Sequence, residues 1–390
     1  MEFKKVKIFV FGVNLQNTLG LIRSMGEVGF PVILLLEPCI KSHCYVNYSK
    51  YVVKTHFLST TEEAIDVLKK EYWNEKEPPI IYCGSDSSIA LLDAHYNELK
   101  DKFRFFNVNS QQGMLNHYMD KLNQFPLAEK AGLTLIKTWH IRYPQNLPYD
   151  IVFPCLVKGN NSTTSTKGDM FICKDRNELE SRLTDGVDYL IQEYIEKDYE
   201  LNINGFSYNH GQNTFIPAVI YKIRDSLYRQ GEYLRLDDIN KYSNLNKEAL
   251  SKFVASLGYE GIFSIELMCK GDKYYFLEIN LRNDGLGYLY TAAGENYPLL
   301  WYKYVTGELK QADLNPEACK TPYYCMLDKD MNNIIEHRVS ILHWIKDFMR
   351  SDVFYILDFK DIRPFVRLMY IHTRQACKLV LRKVFRLDIR

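Results

Sequence analysis

YYFLEINLR, residues 274–282, alternates apolar and polar side chains with the period of a β-strand. Read as a strand, this stretch places Phe276, Glu278, Asn280 and Arg282 on one face and the residues between them on the other. An acid, an amide and a base therefore share one side of the predicted strand.

A second strand with a single acid precedes this stretch. GIFSIELMC, residues 261–269, is mostly apolar apart from Glu266, and residues 270–273 have the composition of a turn, so the two strands form a predicted hairpin. A two-residue loop would set Glu266 opposite Leu277, whereas a three-residue loop or a bulge would set it opposite Glu278. The sequence leaves both registers open.

Facing carboxylates would indicate a cation site. Side chains opposite each other lie about 5 Å apart at Cβ, where two acids repel unless a cation lies between them. Glu266, Glu278 and the amide oxygen of Asn280 are the hard ligands that Mg²⁺ uses when it also binds nucleotide phosphates. Arg282 would then hold a transferred phosphoryl group or a substrate carboxylate. The alternative is a solvated strand face.

Composition describes an ordinary globular protein. The 390 residues are 46% hydrophobic and 25% charged, and their net charge of +1 gives no overall attraction to nucleic acid. The nine cysteines lack zinc spacing, so we expect reduced thiols and a cytoplasmic location. No run of 18 apolar residues indicates a membrane span, and the apolar start is typical of a core strand rather than a signal peptide.

Three regions follow one another along the chain. Residues 1–115 alternate strand and helix signals, including a helix from Ser87 to Leu99 capped by Asp86 or Ser87, which predicts a parallel α/β domain. The turn after the first strand does not fit Gly-x-Gly-x-x-Gly, so a dinucleotide site is not expected. Residues 116–310 begin with a helix, from about 118 to 131, and are then rich in strands. Residues 311–390 are mostly helical, with a strand-like stretch at 352–358.

A loop of small hydroxyl residues suits a phosphate cover. PCLVK, ending at Lys158, predicts a short strand, and the loop GNNSTTSTKG at 159–168 contains Lys167. Backbone N–H and hydroxyl groups in such a loop approach phosphate oxygens without steric hindrance. A plain surface turn would look the same.

A strand edge further on suits a nucleotide base and sugar. The strand that includes Gln192, Glu193, Tyr194 and Ile195 runs into an extended connection, whose backbone would present N–H and C=O groups to an adenine edge. A later acid, Glu200, would accept hydrogen bonds from ribose, although single acids are more often solvated. A lysine at position 222 would reach a γ-phosphate or lie on a wet sheet face.

The order of these pieces resembles the ATP-grasp superfamily over residues 116–310. Asp120 and Lys121 open a helix, and Lys158 precedes the hydroxyl-rich loop. The adenine strand, Glu200, Glu266 and the Glu278–Arg282 stretch follow. The domain at residues 1–115 is similar to the one that precedes this module.

The resemblance implies that ATP lies between two α+β lobes, with the lysines on the phosphates and the backbone of Glu193 and Ile195 at adenine. Ribose would bind Glu200. By the same carry-over, Mg²⁺ or alternatively Mn²⁺ would be bound by Glu266, Glu278 and Asn280. The catalytic candidates are Arg282, at the γ-phosphate, and Lys222. One departure is the loop at 159–168, which is rich in Ser and Thr where the family's loop is rich in glycine.

Within the superfamily, the chain resembles the carboxylate–amine ligase branch, which includes D-aspartate ligase. The resemblance implies that a carboxylate is activated as an acyl phosphate and joined to an amine, giving an amide, ADP and phosphate, for envelope or polysaccharide precursors. Two other hypotheses are a catalytically silent ATP-binding scaffold at a membrane and a kinase that releases a phosphorylated product.

The last 27 residues predict a basic amphipathic helix. From Pro364 the chain has seven basic residues and one acid, and four of the basic residues, from Arg374 to Arg386, recur at i, i+4 spacing. Such a helix would contact an anionic membrane surface or dock on its own domain with the basic face solvated.

Overall fold

The structure is a computed structural model that describes residues 6–145, 147–159, 170–226 and 231–385. Most of the predicted phosphate loop, with Lys167, lies outside the described residues. Side chains beyond Lys378 are not described either.

The N-terminal region is a parallel sheet covered by helices. Its four strands run in the spatial order β3-β2-β1-β4, and every paired strand is parallel. Strands β1 and β2 are buried along their whole length, which explains their unbroken apolar sequences. The elements are β1 (Ile8–Gly12), α1 (Gln16–Gly26), β2 (Val32–Leu36), β3 (Val52–Phe57), α2 (Glu63–Tyr72), β4 (Ile80–Cys83), α3 (Asp86–Ala94) and α4 (Tyr96–Leu99).

A small antiparallel sheet forms a lobe with its own core. Its strands lie in the order β7-β10-β8-β9, and its buried side chains form a cluster separate from the main one. The elements between the N-terminal region and the end of this lobe are β5 (Asn107–Val108), α5 (Met114–Met119), α6 (Lys121–Ala131), β6 (Thr134–Leu135), β7 (Thr138–Arg142), β8 (Cys155–Gly159), β9 (Phe171–Cys173), α7 (Arg176–Arg182) and β10 (Asp188–Glu193).

A larger, mostly antiparallel sheet carries the hairpin. Its described strands run β18-β17-β14-β13-β11-β15-β16-β6, with β12 beside β11 and β5 beside β15. Helices α6 and α8 cover one face, where Phe125 and Phe253 pack on Phe276. The elements are β11 (Tyr199–Tyr208), β12 (Asn213–Phe215), β13 (Ala218–Asp225), β14 (Gly231–Asp238), α8 (Lys247–Leu257), β15 (Tyr259–Lys270) and β16 (Lys273–Asn280).

Helices dominate the remaining chain. They are α9 (Gly287–Ala293), α10 (Tyr297–Val305), α11 (Asn332–Ile335), α12 (Ile341–Arg350) and α13 (Arg363–Phe385), with β17 (Tyr323–Met326) and β18 (Val353–Phe354) between them. Short 3₁₀ turns lie at Lys41–His43, Val46–Tyr48, Ile239–Lys241, Gln311–Asp313, Pro316–Ala318 and Asp328–Met331. In the described part of the chain, no helix has the length and apolar content needed to cross a bilayer.

The predicted fold class is confirmed: a parallel α/β region, a two-sheet module and a helical C-terminal region follow one another. The predicted basic tail is a helix, and its first half docks on the N-terminal region. Arg367 donates to the backbone carbonyls of Ser42 and Cys44, and Ile371 is buried. The second hypothesis for the tail therefore applies to this first half.

Three local predictions were wrong. The helix predicted from about 118 to 131 begins later, at Lys121, because extended backbone at Asp120 separates it from α5 and the Asp120 carboxylate caps α6 at the N–H of Leu122. Ser85, rather than Asp86 or Ser87, caps α3. The predicted strand at 352–358 is limited to Val353–Phe354, where the backbone pairs with β17.

Candidate active site: the polar face of the large sheet

The two acids of the hairpin face each other. The turn has two residues, since Lys270 pairs with Lys273, and regular pairing would then set Glu266 opposite Leu277. A β-bulge at Leu277 inserts one unpaired residue and moves Glu278 into that position. The structure therefore combines the shorter of the two predicted turns with the predicted bulge.

The bulge also corrects the prediction for Phe276. Residues directly opposite in an antiparallel pair share a face. Phe276 pairs with Leu267, and Ile279 pairs with Ile265, so both lie on the face that α6 and α8 cover. Phe276 and Glu278 are thus on opposite faces, because the extra residue between them reverses the alternation.

The pKa values of the two acids are shifted in opposite directions. Lys121, at the start of α6, forms an ion pair with Glu278. Burial alone would raise the pKa of Glu278, but the positive charges of Lys121 and Lys158 outweigh burial and lower it. Burial raises the pKa of Glu266, and the negative charge of Glu278 raises it further, while Lys222 opposes both. The pKa of Glu278 is therefore lowered, and the pKa of Glu266 opposite it is raised.

A half-buried lysine faces this pair from the small sheet. Lys158 lies on β8 opposite Leu190, and no ion pair to Lys158 occurs among the described residues. Burial lowers its pKa to about 8, and the nearby charge of Lys121 lowers it too, against the attraction of Glu278. The charges of Lys158 and Glu278 thus affect each other's pKa, although they lie on different sheets.

Lys222 and Glu200 form an ion pair on the face of the large sheet that carries Glu266 and Glu278, which we call the polar face. The Nζ atom of Lys222 is 2.7 Å from Oε2 of Glu200, and Nζ of Lys197 is 2.6 Å from Oε1 of the same carboxylate. Burial would lower the pKa of Lys222, but the charges of Glu266 and Glu200 raise it overall. Glu200 therefore meets two lysines, and Lys222 links it electrostatically to the hairpin.

Arg282 links the large sheet to the N-terminal region. Just beyond β16, its Nε and Nη2 atoms lie 2.6 and 3.1 Å from the two carboxylate oxygens of Asp86, the first residue of α3. Nη1 donates to the carbonyl of Asn283 at 3.1 Å. This bidentate contact fixes the guanidinium beside the carboxyl end of β4.

The predicted adenine strand forms the connection between the two sheets. Gln192 and Glu193 end β10, residues 194–198 connect it to β11, and Tyr194 and Ile195 are half-buried. The N–H of Glu193 donates to the carbonyl of Lys137 at 3.0 Å, and that of Tyr194 donates to Pro154 at 3.0 Å. The amide of Gln192 donates to Oγ1 of Thr138.

A buried acid beside the hairpin, Asp284, was not predicted from the sequence. Asp284 accepts hydrogen bonds from Asn202, Asn204, Ser264 and the N–H of Leu286, at 2.8 to 3.0 Å. Asp86 was also missed as the partner of Arg282. The Asn-Asp-Gly run after Arg282 offered a signal for Asp284, but the partners in β11 are some 80 residues away.

A family model of the ATP-grasp domain matches residues 128–296, a range that includes the small lobe, the hairpin and Asp284. The chain carries an ATP-grasp domain. This match begins after Lys121 and includes Lys158, Glu200, Glu266, Glu278 and Arg282. The predicted superfamily is confirmed by the match and by the fold.

Curated relatives are similar over part of their length. The chain is 27% identical to formate-dependent phosphoribosylglycinamide formyltransferase of Prochlorococcus marinus over 43% of this chain and 45% of that one. The corresponding enzyme of Sulfolobus acidocaldarius is 24% identical over 62% of each chain. Across three such relatives, the matches span 36% to 62% of the relative's length.

Solved structures share the fold. N5-carboxyaminoimidazole synthetase from Staphylococcus aureus superposes with a TM-score of 0.65 at 16% identity, covering 86% of this chain and 88% of that one. L-amino acid ligase from Bacillus licheniformis gives a TM-score of 0.62 at 15% identity over 81% and 78%. The biotin carboxylase domain of Hydrogenobacter thermophilus 2-oxoglutarate carboxylase, described with MgADP, gives 0.60 at 15% over 83% and 74%.

The polar face of this ATP-grasp domain fits a divalent cation with phosphates. Glu266, Glu278 and Asn280 offer two carboxylates and an amide, the oxygen ligands that Mg²⁺ binds. On β11, opposite Glu266, the buried Oδ1 atom of Asn202 has no hydrogen-bond partner within the described residues. Lys158 supplies a half-buried cation for an anion. No group of three or more His, Cys, Asp or Glu side chains with metal-site geometry occurs in the described ranges, so phosphate or water oxygens would complete the set.

Proposed function

We propose that this chain is an ATP-dependent ligase that activates a carboxylate as an acyl phosphate and joins it to an amine. The observation that carries the proposal is Glu266 facing Glu278, with Lys121 and Lys158 beside them. The names of the similar proteins support it, since an L-amino acid ligase and a glycinamide formyltransferase are named for the formation of carbon–nitrogen bonds.

ATP would lie between the small sheet and the polar face of the large one. Lys121 and Lys158 would bind its phosphates together with Lys167, which lies outside the described residues. The backbone of residues 192–195 would meet adenine, because this segment joins the two sheets at their edge. Glu200 would bind ribose while it keeps its contacts with Lys197 and Lys222.

Mg²⁺, or Mn²⁺ in its place, would be held by Glu266, Glu278 and Asn280. When bound, the ion supplies positive charge that neutralises phosphate oxygens. The chain's own contribution is charge and position. Arg282, held by Asp86, would face the transferred phosphoryl group, and Lys222 would add positive charge along the same sheet face.

The reaction would proceed in two substitutions. First, an oxygen of the substrate carboxylate attacks the γ-phosphorus of ATP, and the bond to the ADP oxygen breaks. The amine nitrogen then attacks the acyl carbon, the bond to phosphate breaks, and the amine proton leaves to solvent. Amide, ADP and phosphate are the products, and burial of the site limits the loss of the acyl phosphate to water.

The domain boundaries, the cellular location and the partners are also part of the proposal. We assign residues 1–115 to an N-terminal domain, 116–310 to the catalytic module and 311–390 to an extension. Cytoplasmic synthesis of envelope or polysaccharide precursors would suit a peripheral membrane contact by the distal half of α13, where residues 372–377 are exposed. The partners are then a small or precursor-linked carboxylate and an amine, and no nucleic acid.

The test is ADP release with Mg²⁺ across amino acids, hydroxy acids and sugar acids, offered singly and in pairs. We expect turnover that requires one acid and one amine, and loss of turnover in Glu278→Gln with an unchanged circular dichroism spectrum. ADP release with an acid alone would favour a kinase. ATP binding without release for any pair would favour a silent scaffold, and full activity of Glu278→Gln would refute the assigned metal site.

A further inference from the structure

Helix α12 exposes a continuous apolar stripe. Ile341, Leu342, Ile345 and Met349 are 61%, 82%, 47% and 78% exposed. At about 100° per residue, these four side chains fall within one sector about 100° wide. Large apolar side chains gathered in one patch mark an interaction surface, whereas scattered ones do not.

The stripe is not needed to hold the helix in place. Next to the stripe on α12, Trp344 and Phe348 pack on the cluster around Tyr233 and Tyr324. Asp347 on the same inner side lies 2.8 Å from Arg224. The helix is therefore anchored through its inner face, and the outer stripe is free to contact a partner.

Positive charge borders the stripe. Lys346 and Arg350 occupy the sector of the helix next to the apolar one, and both are exposed. His343 beside them lies 3.5 Å from the carboxylate of Asp347. Arg350 stacks on Tyr324 with its guanidinium carbon 4.0 Å from the ring centroid. The single acid of α12, Asp347, is on the inner face, so the exposed arc of this helix carries apolar and basic groups.

The segment before α12 also exposes apolar side chains. Met331 and Ile335 are 55% and 70% exposed, and they precede α12 by only a few residues. Arg338 and the acid Glu336, both exposed, lie between them and α12. Glu336 is thus the exposed acid of residues 331–350, and Asp328 and Asp352 are exposed on either side of this range.

We infer that α12 docks on an anionic phospholipid bilayer, with its apolar stripe in the headgroup boundary and its basic border on the phosphates. An exposed apolar sector flanked by cations is the pattern of an interfacial helix. A second copy of the chain fits less well, because a two-fold contact through this face would bring the basic borders together. The inference goes beyond the proposed function and needs neither ATP nor catalysis.

The test uses the full chain without nucleotide. Co-sedimentation is measured with vesicles of phosphatidylcholine and phosphatidylglycerol at about 3:1, and with phosphatidylcholine alone, at about 0.1 M and 0.5 M salt. The apolar variant is Leu342→Gln with Met349→Gln. Its control is Ile40→Gln with Val53→Gln, two residues that are each 65% exposed in the N-terminal region. Lys346→Gln tests the border, with Lys252→Gln, also on an exposed helix position, as its control.

We expect the protein to bind anionic vesicles, more weakly at high salt, and the apolar variant to lose at least about tenfold in vesicle affinity. Lys346→Gln is expected to weaken binding and its salt dependence, while both controls bind like the unaltered chain. Absence of vesicle binding would overturn the inference. So would binding unaffected by the apolar variant, which would assign the contact to α13. Vesicle-free dimers that dissociate in the apolar variant would also overturn it, in favour of a second copy.

Discussion

The charge of Lys158 is the feature of the site that indicates an anionic ligand. A half-buried ammonium without an ion pair among the described residues is costly, and its lowered pKa of about 8 reflects that cost. A polyphosphate would provide the missing negative charge. Glu278 differs, because Lys121 and Lys158 already hold it in the ionised form.

Lys158 predicts how nucleotide affinity depends on pH. With a pKa of about 8, the free side chain is cationic below this pH and neutral above it, so ATP affinity should fall as pH rises through about 8 to 9. Lys158→Arg should flatten this fall because guanidinium stays charged, and Lys158→Met should lower affinity at every pH. Titration of ATP binding against pH measures it. An unchanged decline in Lys158→Arg would show that another group is responsible.

At the scale of elements, the hairpin and the Asp284 network fix the polar face. The carboxylate of Asp284 ties β11 and β15 to the loop after β16 through four hydrogen bonds. Because Asn202 and Ser264 flank the acids of the hairpin in register, the network also orients the strands that carry Glu266 and Glu278.

Loss of Asp284 should destabilise the protein. Asp284→Ala leaves three buried side-chain donors and one backbone N–H without their acceptor, which should lower the free energy of unfolding by about 3 kcal/mol or more. Asp272→Ala, in the exposed hairpin turn, is the control and should stay within about 0.5 kcal/mol. Urea denaturation compares them. Equal stability of the two variants would mean that the network contributes little.

The sequence predicted the elements better than their registers. The apolar runs of β1 and β2 and the end of α6 at Ala131 could be predicted, because they depend on the local sequence pattern. A bulge in the hairpin was one of the predicted alternatives. No residue near Leu277 distinguishes a bulge from regular alternation, so the sequence could not decide between them. Asp86 was inaccessible as the partner of Arg282, since 196 residues separate them and only the packing of the N-terminal region brings them together.

At the scale of the whole molecule, a buried arginine holds the C-terminal region on the N-terminal one. Arg23 on α1 is fully buried and donates to the carboxylate of Asp361 and to the carbonyls of Tyr355, Ile356 and Asp361, at 2.6 to 3.2 Å. Asp361 also accepts from Ser49. This contact positions the chain that leads into α13.

Removal of this arginine should loosen the C-terminal region. Arg23→Met leaves the buried carboxylate of Asp361 without its cation and three carbonyls without their guanidinium donor, so we expect a loss of about 3 kcal/mol in the free energy of unfolding and faster proteolysis near residues 355–361. Lys252→Met, an exposed substitution on α8, is the control. Limited proteolysis with mass spectrometry reads the cleavage sites. Cleavage at the control's rate would show that other contacts dock this region.

The facing acids of the hairpin form the proposed metal–nucleotide site. It is tested most directly by calorimetric titration of ATP, with and without Mg²⁺, into the unaltered chain, Glu278→Gln and the exposed control Glu248→Gln. We predict that Mg²⁺ tightens ATP binding at least about tenfold in the unaltered chain and the control, and that Glu278→Gln loses this gain while it still binds metal-free ATP. A full Mg²⁺ effect in Glu278→Gln would contradict the assignment of Glu278 to the metal–nucleotide site.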